Sequence, residues 1–355
     1  MKRHRLRVGL IAAALLLQAG IAAPIAAQDS TPAAGTEVAQ AAVVTPGSRT
    51  NQGWDQQAAD AIDAVAAEAG IESVVAENAG YDDITPILRD LEAGGAGLII
   101  CHASGYQTVC PEFAAETGVP VAVIENPGAV AGGTVADIET QAQEVAYLAG
   151  VLAGNVTTTG TVGVVVSGEP PTWNYMTVGF AEGLKAANPD ARMLYSVIGE
   201  AAYDDAAGAK RVTEQQLAAA ADVIFGMGDG ASFGMIQAIE EHNAADGANK
   251  AWFIDVIGDK KAEHGDVLLS SVLFDYSGIY KQMLDDLKAG TFGSVYTMDV
   301  KNGGVRLLEL PDEVAQEAKD AVAEAEKSIV DGSITVSAIS DAEEMKAKIA
   351  ELFPQ

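Results

Sequence analysis

Basic residues are scarce in this chain: 21 Lys and Arg stand against 50 Asp and Glu, for a net charge of −29. Such a surface repels nucleic acid and anionic membranes, so no nucleic-acid partner is expected. It also disfavours multiply phosphorylated ligands unless a local basic pocket intervenes. Histidine is rarer still, with four in all, and His4 falls in the N-terminal leader. No His neighbours a Ser or Cys in a nucleophilic arrangement. The stretch Gly-Asp-Gly-Ala-Ser-Phe-Gly at 228–234 lacks the Gly-x-Ser-x-Gly order of a nucleophile elbow. The glycines around 128–133 build neither a Walker A loop nor a Gly-x-Gly-x-x-Gly fingerprint. The expectation is a non-enzyme without a cofactor. A carboxylate pair for glycoside hydrolysis stays open, because no motif singles one out.

Only two cysteines occur, Cys101 and Cys110. Their spacing lets a short loop close, and it suits two buried thiols as well. The sequence leaves that choice open, since a disulfide needs its Cα atoms within about 7 Å. Four-ligand metal spacing is missing although His102 follows Cys101, so no metal site is expected. Long apolar runs are missing too. The nearest is Val8–Leu17, behind Lys2, Arg3, Arg5 and Arg7. A bilayer span needs about 20 apolar residues. Basic start, short apolar core and the small-residue exit at Ala26-Ala27 read as a signal peptide over 1–27. The alternative is an uncleaved N-terminal anchor. The protein is therefore expected outside the cytoplasm, in a periplasm or at the cell surface. No Cys adjoins the cleavage site, which argues against a lipid tether. Residues 28–40, rich in Ala, Thr, Ser and Pro, read as a disordered spacer.

What remains is too long for one ordinary core and points to two domains. Short apolar runs alternate with helical patterns. Strands are expected at 41–45, 73–76, 98–101 and 120–124, with helices at about 53–69, 84–92 and 109–116. A helix from Glu139 to Gly154 links to a restart of the pattern. Strands then fall at 161–166, 194–198, 223–226 and 252–256, with helices to about 187, at 207–219 and at 233–242. Alternating strands and helices imply parallel, doubly wound sheets. The segments 96–105 and 221–230 are similar, as are 43–47 and 165–168, each with a Trp downstream. The expected fold is α/β, with two doubly wound parallel-sheet lobes and a cleft between them. Lobe 1 would take 41–140 and about 273–310, and lobe 2 would take 141–272. The tail from 311 to 355 would add two helices of unassigned lobe.

In open α/β sheets ligands bind beyond the carboxyl ends of the strands. The residues there are Asn51, Trp54 and Asp55; Tyr106; Glu125; Trp173 and Asn174; Tyr203; Gly228 and Asp229; and Asp255. Aromatics stack on flat faces, and carboxylates and amides hydrogen-bond hydroxyls or ring nitrogens. The set suits a neutral or cationic polar small molecule. Structural roles compete: Trp54 lies on the apolar stripe of its helix, Trp173 sits near a helix start where packing is as natural, Asn51 can cap a helix, and Asp229 sits in a Gly-rich turn.

Several local motifs recur together. They are Asn51-Gln-Gly-Trp-Asp-Gln56, Glu144-Val-Ala-Tyr-Leu-Ala-Gly-Val-Leu-Ala-Gly154, Gly179-Phe-Ala-Glu-Gly183, Tyr203-Asp-Asp205, Ala221-Asp-Val-Ile-Phe225 with its Gly-rich turn, and Val267-Leu-Leu-Ser-Ser-Val272. In that order and spacing, from about Val43 to Leu308, the chain resembles the basic membrane protein family of ABC-transporter substrate-binding proteins, which includes purine-nucleoside receptors. The resemblance implies a type I periplasmic-binding fold, a small-molecule ligand, an ABC permease as partner and a monomer. It implies Trp54 and Tyr203 as the aromatics that sandwich a base. It implies Asp55, Glu125 and the Gly228–Gly230 turn as further contacts. The chain departs from the family at Thr45, at Thr50-Asn51, at Ile257 where the ribose-binding Asp would fall, and at Leu273-Phe274 where a Lys would. These departures point to a free base or another flat polar molecule as readily as to a nucleoside. A sensory receptor of the same fold and a nucleoside or sugar hydrolase are the competing readings.

Overall fold

The structure is a computed structural model that describes residues 35, 37–200, 202–245 and 249–354. The expected signal peptide and most of the expected spacer lie outside the described residues.

Chain order begins with β1 (Gln40–Val44), α1 (Trp54–Ala69), β2 (Glu72–Ala76), α2 (Thr85–Gly94), β3 (Leu98–Cys101), α3 (Val109–Thr117), β4 (Val121–Ile124) and β5 (Val135–Thr140). It continues with α4 (Ala142–Val156), β6 (Thr161–Val166), α5 (Pro171–Ala187), β7 (Arg192–Val197), α6 (Ala206–Ala218), β8 (Val223–Met227), α7 (Ser232–Ala245) and β9 (Trp252–Val256). It ends with α8 (Lys261–His264), β10 (Leu268–Phe274), α9 (Ser277–Ala289), β11 (Val295–Met298), β12 (Val305–Leu307), α10 (Gln316–Val330) and α11 (Ala342–Leu352).

Two six-stranded sheets result, in the orders β2-β1-β3-β4-β5-β11 and β7-β6-β8-β9-β10-β12. All pairings between these strands are parallel except β12 on β10. The strands read as continuous apolar runs because helices cover both faces. In β1, Ala41 and Val43 join Ile62 and Val65 of α1, while Ala42 and Val44 join Leu88 of α2 and Phe113 of α3. That alternation is the period-two geometry of a strand. In both sheets the order reverses between the first strand and the third, so β1/β3 and β6/β8 are the topological switch points.

The chain passes between the sheets three times: from β5 through α4 to β6, from β10 through α9 to β11, and from β11 to β12. Thus Val305–Leu307, inside the segment expected in the first lobe, pairs with the second sheet. The strand β5 was not expected, and its last residues, Glu139 and Thr140, belong to a strand rather than to the start of the linking helix. Asp137 and Glu139 interrupt its apolar pattern, which hides it from a search for apolar runs.

Helix α4 leaves the first sheet and packs with α5 beneath the second. The close approach depends on glycine: a Cβ on Gly183 would lie 2.0 Å from the Tyr147 carbonyl oxygen, and one on Gly179 would lie 2.3 Å from that of Gln143. The tail belongs with this pair. α10 packs on α4, α11 packs on α5, and the Ser337 hydroxyl donates to Glu182 at 2.7 Å. Cys101 and Cys110 form a disulfide between the end of β3 and α3, with Cα atoms 6.6 Å apart.

Candidate functional site

The two switch points face each other across the gap between the sheets. From the first sheet come the loop after β1, the turn after β3 and the end of β4. From the second come the start of α5 and the turns after β8 and β9. Four residues other than glycine adopt positive φ on these loops: Gln52 (54°), Glu125 (52°), Asp229 (52°) and Ile257 (71°). Left-handed backbone is disfavoured for such residues, above all for a β-branched one, and it concentrates at ligand clamps.

The lobes touch at several places. Gln52 Nε2 donates to Glu263 at 3.0 Å, and the Phe274 amide donates to Gln57 Oε1 at 3.2 Å. Gly258, at φ 101°, lies so close to the Gln52 carbonyl oxygen that a Cβ there would be 1.9 Å away. Asp229 Oδ1 approaches Gly53, where a Cβ would lie 2.6 Å from it. On the other flank, Glu125 Oε1 accepts from Thr172 Oγ1 at 2.6 Å and from the Tyr175 hydroxyl at 3.1 Å, both on α5. Gln107 Nε2 donates to the Ile124 and Glu125 carbonyls, at 2.7 and 3.2 Å, and so braces the strained backbone. Glu125 is thus a cross-lobe acceptor.

Trp54 opens α1 and is half-buried. Its Nε1 donates to the Tyr276 hydroxyl at 2.7 Å. Its ring lies 3.9 Å, centroid to centroid, from His102. His102 is fully buried, its pKa pushed down to about 3 by that burial. As a neutral ring it donates from Nε2 to the Trp54 carbonyl oxygen at 3.2 Å. It serves as a platform under the indole, a role the sequence did not suggest. Tyr203, 36% exposed, meets Trp173 edge-on at 5.4 Å, and Trp173 is itself buried in the core.

Other expected residues satisfy the protein itself. Asn51 stands just ahead of Gly53, the N-cap of α1: its Oδ1 accepts from the Gly53 and Gln56 amides at 2.9 and 3.3 Å, and its Nδ2 donates to Asp55 at 2.7 Å. Asp55 also accepts from the Gly47 amide at 3.3 Å, and burial raises its pKa. The Tyr106 hydroxyl donates to the Gly80 carbonyl at 2.6 Å. Asn174 Nδ2 donates to the Glu169 and Ser340 carbonyls at 3.0 and 2.7 Å, tying the tail to α5. Asp255 is fully buried and accepts from Lys260 Nζ at 2.6 Å and from Ser232 Oγ at 2.9 Å. Lys260, in the turn after β9, is the counter-ion the sequence reading overlooked. It stands in the charged run Asp259-Lys-Lys-Ala-Glu-His264, where nothing in the sequence sets one lysine apart as buried.

The Gly228–Gly230 turn carries Asp229. Burial, and then the charge of Asp55, push its pKa up to about 6, with Lys260 opposing. Gly230 makes room for Asp204, whose carboxylate would lie 2.4 Å from a Cβ there. Asp205 caps α6 through the Gly208 amide at 2.8 Å. Among the described residues no cluster of His, Cys, Asp and Glu has the arrangement of a metal site. None of the described helices is long and apolar enough to cross a membrane.

Two α/β lobes with matching strand orders, three crossings and an aromatic, acidic cleft at facing switch points define the fold of periplasmic solute-binding proteins. Solved structures agree. A solute-binding protein of an ABC transporter system from Conexibacter woesei superposes with a TM-score of 0.73 at 21% identity, covering 85% of this chain and 99% of that one. A transcriptional activator of the comK gene from Bacillus halodurans superposes at 0.72 with 17% identity, covering 84% and 100%. The nucleoside-binding ABC transporter protein BmpA of Lactococcus lactis is 30% identical over 226 residues, 60% of this chain and 62% of that protein. Residues 38–340 match the family described as PnrA-like ABC transporter substrate-binding proteins, and the chain belongs to that family.

Proposed function

We propose that this protein is an extracytoplasmic receptor that captures a small, flat, polar solute, a purine nucleobase or nucleoside, and hands it to an ABC permease. The observation that carries this reading is the pairing of accessible aromatics with carboxylates at the mouth between the switch points. Trp54 and Tyr203 supply flat apolar faces, and Asp229 and Glu125 supply acceptors from opposite lobes. Rigid rings lose little side-chain entropy on binding. Lobe closure desolvates the polar contacts and strengthens them. The likeness to a relative named as nucleoside-binding supports the ligand class.

A thermal-shift panel of nucleobases, nucleosides, sugars and amino acids tests the reading. A ligand at 100 times its dissociation constant stabilises the fold by about 2.7 kcal/mol. Purines are expected to raise the melting temperature. A shift with sugars or amino acids and none with purines would contradict the ligand class. Release of base from incubated nucleosides would instead favour a hydrolase.

A further inference from the structure

The C-terminal helix is tied to the loop that carries the cross-lobe donor Thr172. The family match stops at residue 340, and α11 follows it with Asp341 as its cap. The helix packs along α5. Met345 is fully buried, Lys348 Nζ lies 3.9 Å from Glu182, and the Phe353 ring lies 5.3 Å from Lys185 Nζ. Those contacts fix α11 on the body of α5. Lys346 makes a different one: its Nζ donates to Glu169 Oε2 at 3.1 Å, in the loop between β6 and α5.

Glu169 is the hub of that loop. Its Oε1 accepts from the Tyr195 hydroxyl of β7 at 2.9 Å, and its carbonyl accepts from Asn174 Nδ2 at 3.0 Å. The same Asn174 amide donates to the Ser340 carbonyl at 2.7 Å, just ahead of α11. Asn174 is buried, so these bonds are shielded from water and strengthened by it. After Glu169 come Pro170, at φ −68°, and Pro171, which opens α5. Their rings fix φ, so the segment has little torsional freedom. Thr172 follows at once, and its hydroxyl donates to Glu125 of the other lobe at 2.6 Å. A shift at Glu169 is therefore passed on to the cross-lobe donor rather than absorbed in the loop.

We propose that Lys346 and Glu169 are positioning residues for lobe closure: through the stiff Glu169-Pro-Pro171 segment, α11 sets where Thr172 stands and so how firmly the lobes hold a captured solute. This inference rests on the receptor reading above and adds to it an element outside the cleft. Lys346 and Lys348 offer an internal comparison. Both are part-exposed lysines of α11 paired with a glutamate, but Lys348 meets Glu182 in the body of α5, whereas Lys346 meets the loop. A role confined to holding the helix in place would make the two equivalent.

Two measurements on the full chain test it. Amide hydrogen exchange of residues 172–176 in the ligand-free protein should quicken by about threefold in Lys346→Met, the scale of one part-exposed ion pair, and stay unchanged in Lys348→Met. Release of adenosine, followed by stopped-flow tryptophan fluorescence, should quicken by about the same factor in Lys346→Met alone. In a Thr172→Val background Lys346→Met should add nothing further, because residues in one chain of contacts do not act additively. No change in exchange in Lys346→Met, or equal changes in the two lysine variants, overturns the inference and leaves the receptor reading standing. If adenosine does not bind, that ligand is excluded by itself, and the exchange comparison alone decides the inference.

Discussion

At the scale of single residues, burial of charge sets the strongest expectations. The folded-state pKa of Asp229, about 6, lies above its unfolded value, so its ionisation destabilises the folded protein. Stability that is complete below about pH 4 is lost as pH rises through about 6. Asp229→Asn should therefore stabilise the ligand-free protein above about pH 6, by at most about 3 kcal/mol, and do nothing below about pH 4. Denaturant melts at pH 3.5 and 7.5 would check both limits. At the buried Lys260–Asp255 pair the loss of a partner sets the expectation. Lys260→Met strands a fully buried carboxylate and should cost about 3–5 kcal/mol, much of it recovered by adding Asp255→Asn. Trp54→Ala should abolish binding while the fold persists, because the ring is half-buried at a helix start. Global unfolding by circular dichroism would instead assign Trp54 to the core. Asn51 was legible as a residue that serves the start of a helix, since Asn before a helix accepts from its free amides. The platform role of His102 was not legible, because it depends on contact between residues 48 positions apart.

At the scale of elements, the glycine seam between α4 and α5 is the least tolerant feature. Alanine normally favours a helix over glycine by about 1 kcal/mol. At Gly183 that gain should be outweighed by the clash with the Tyr147 carbonyl, for a net loss of about 1–3 kcal/mol. Chemical denaturation of Gly183→Ala measures it. The apolar strands β1, β3, β4, β6 and β8 were readable from the sequence because each is buried on both faces. The exceptions follow from the same physics. β5 carries Asp137 and Glu139, and β12 is a three-residue edge strand with exposed Arg306. Neither shows a continuous apolar run. The seam itself was visible as Gly179 and Gly183, but its partner helix was not. The disulfide closes a short loop. Replacing Cys101 and Cys110 by Ala should lower stability by about 2–4 kcal/mol in a thermal melt under oxidising conditions.

At the scale of the molecule, the two lobes and their switch points were legible because the strand–helix alternation restarts once. The third crossing was not, because β12 is short and joins the second sheet out of sequence order. Closure is the property that matters for function. Glu125 reaches from the first lobe to Thr172 and Tyr175 of the second. Thr172→Val should remove one cross-lobe donor and speed ligand release several-fold, with little change in stability, as stopped-flow fluorescence would register. The same fold occurs in a transcriptional activator as well as in solute-binding proteins, so architecture alone does not assign the ligand. The cleft chemistry must do that. The most direct measurement is the dissociation constant for adenosine and guanine, followed through the intrinsic tryptophan fluorescence of the purified protein. Saturable binding in the micromolar range, about −8 kcal/mol, is the predicted result. Absence of saturation by any purine, with saturation by a sugar or an amino acid, would contradict it.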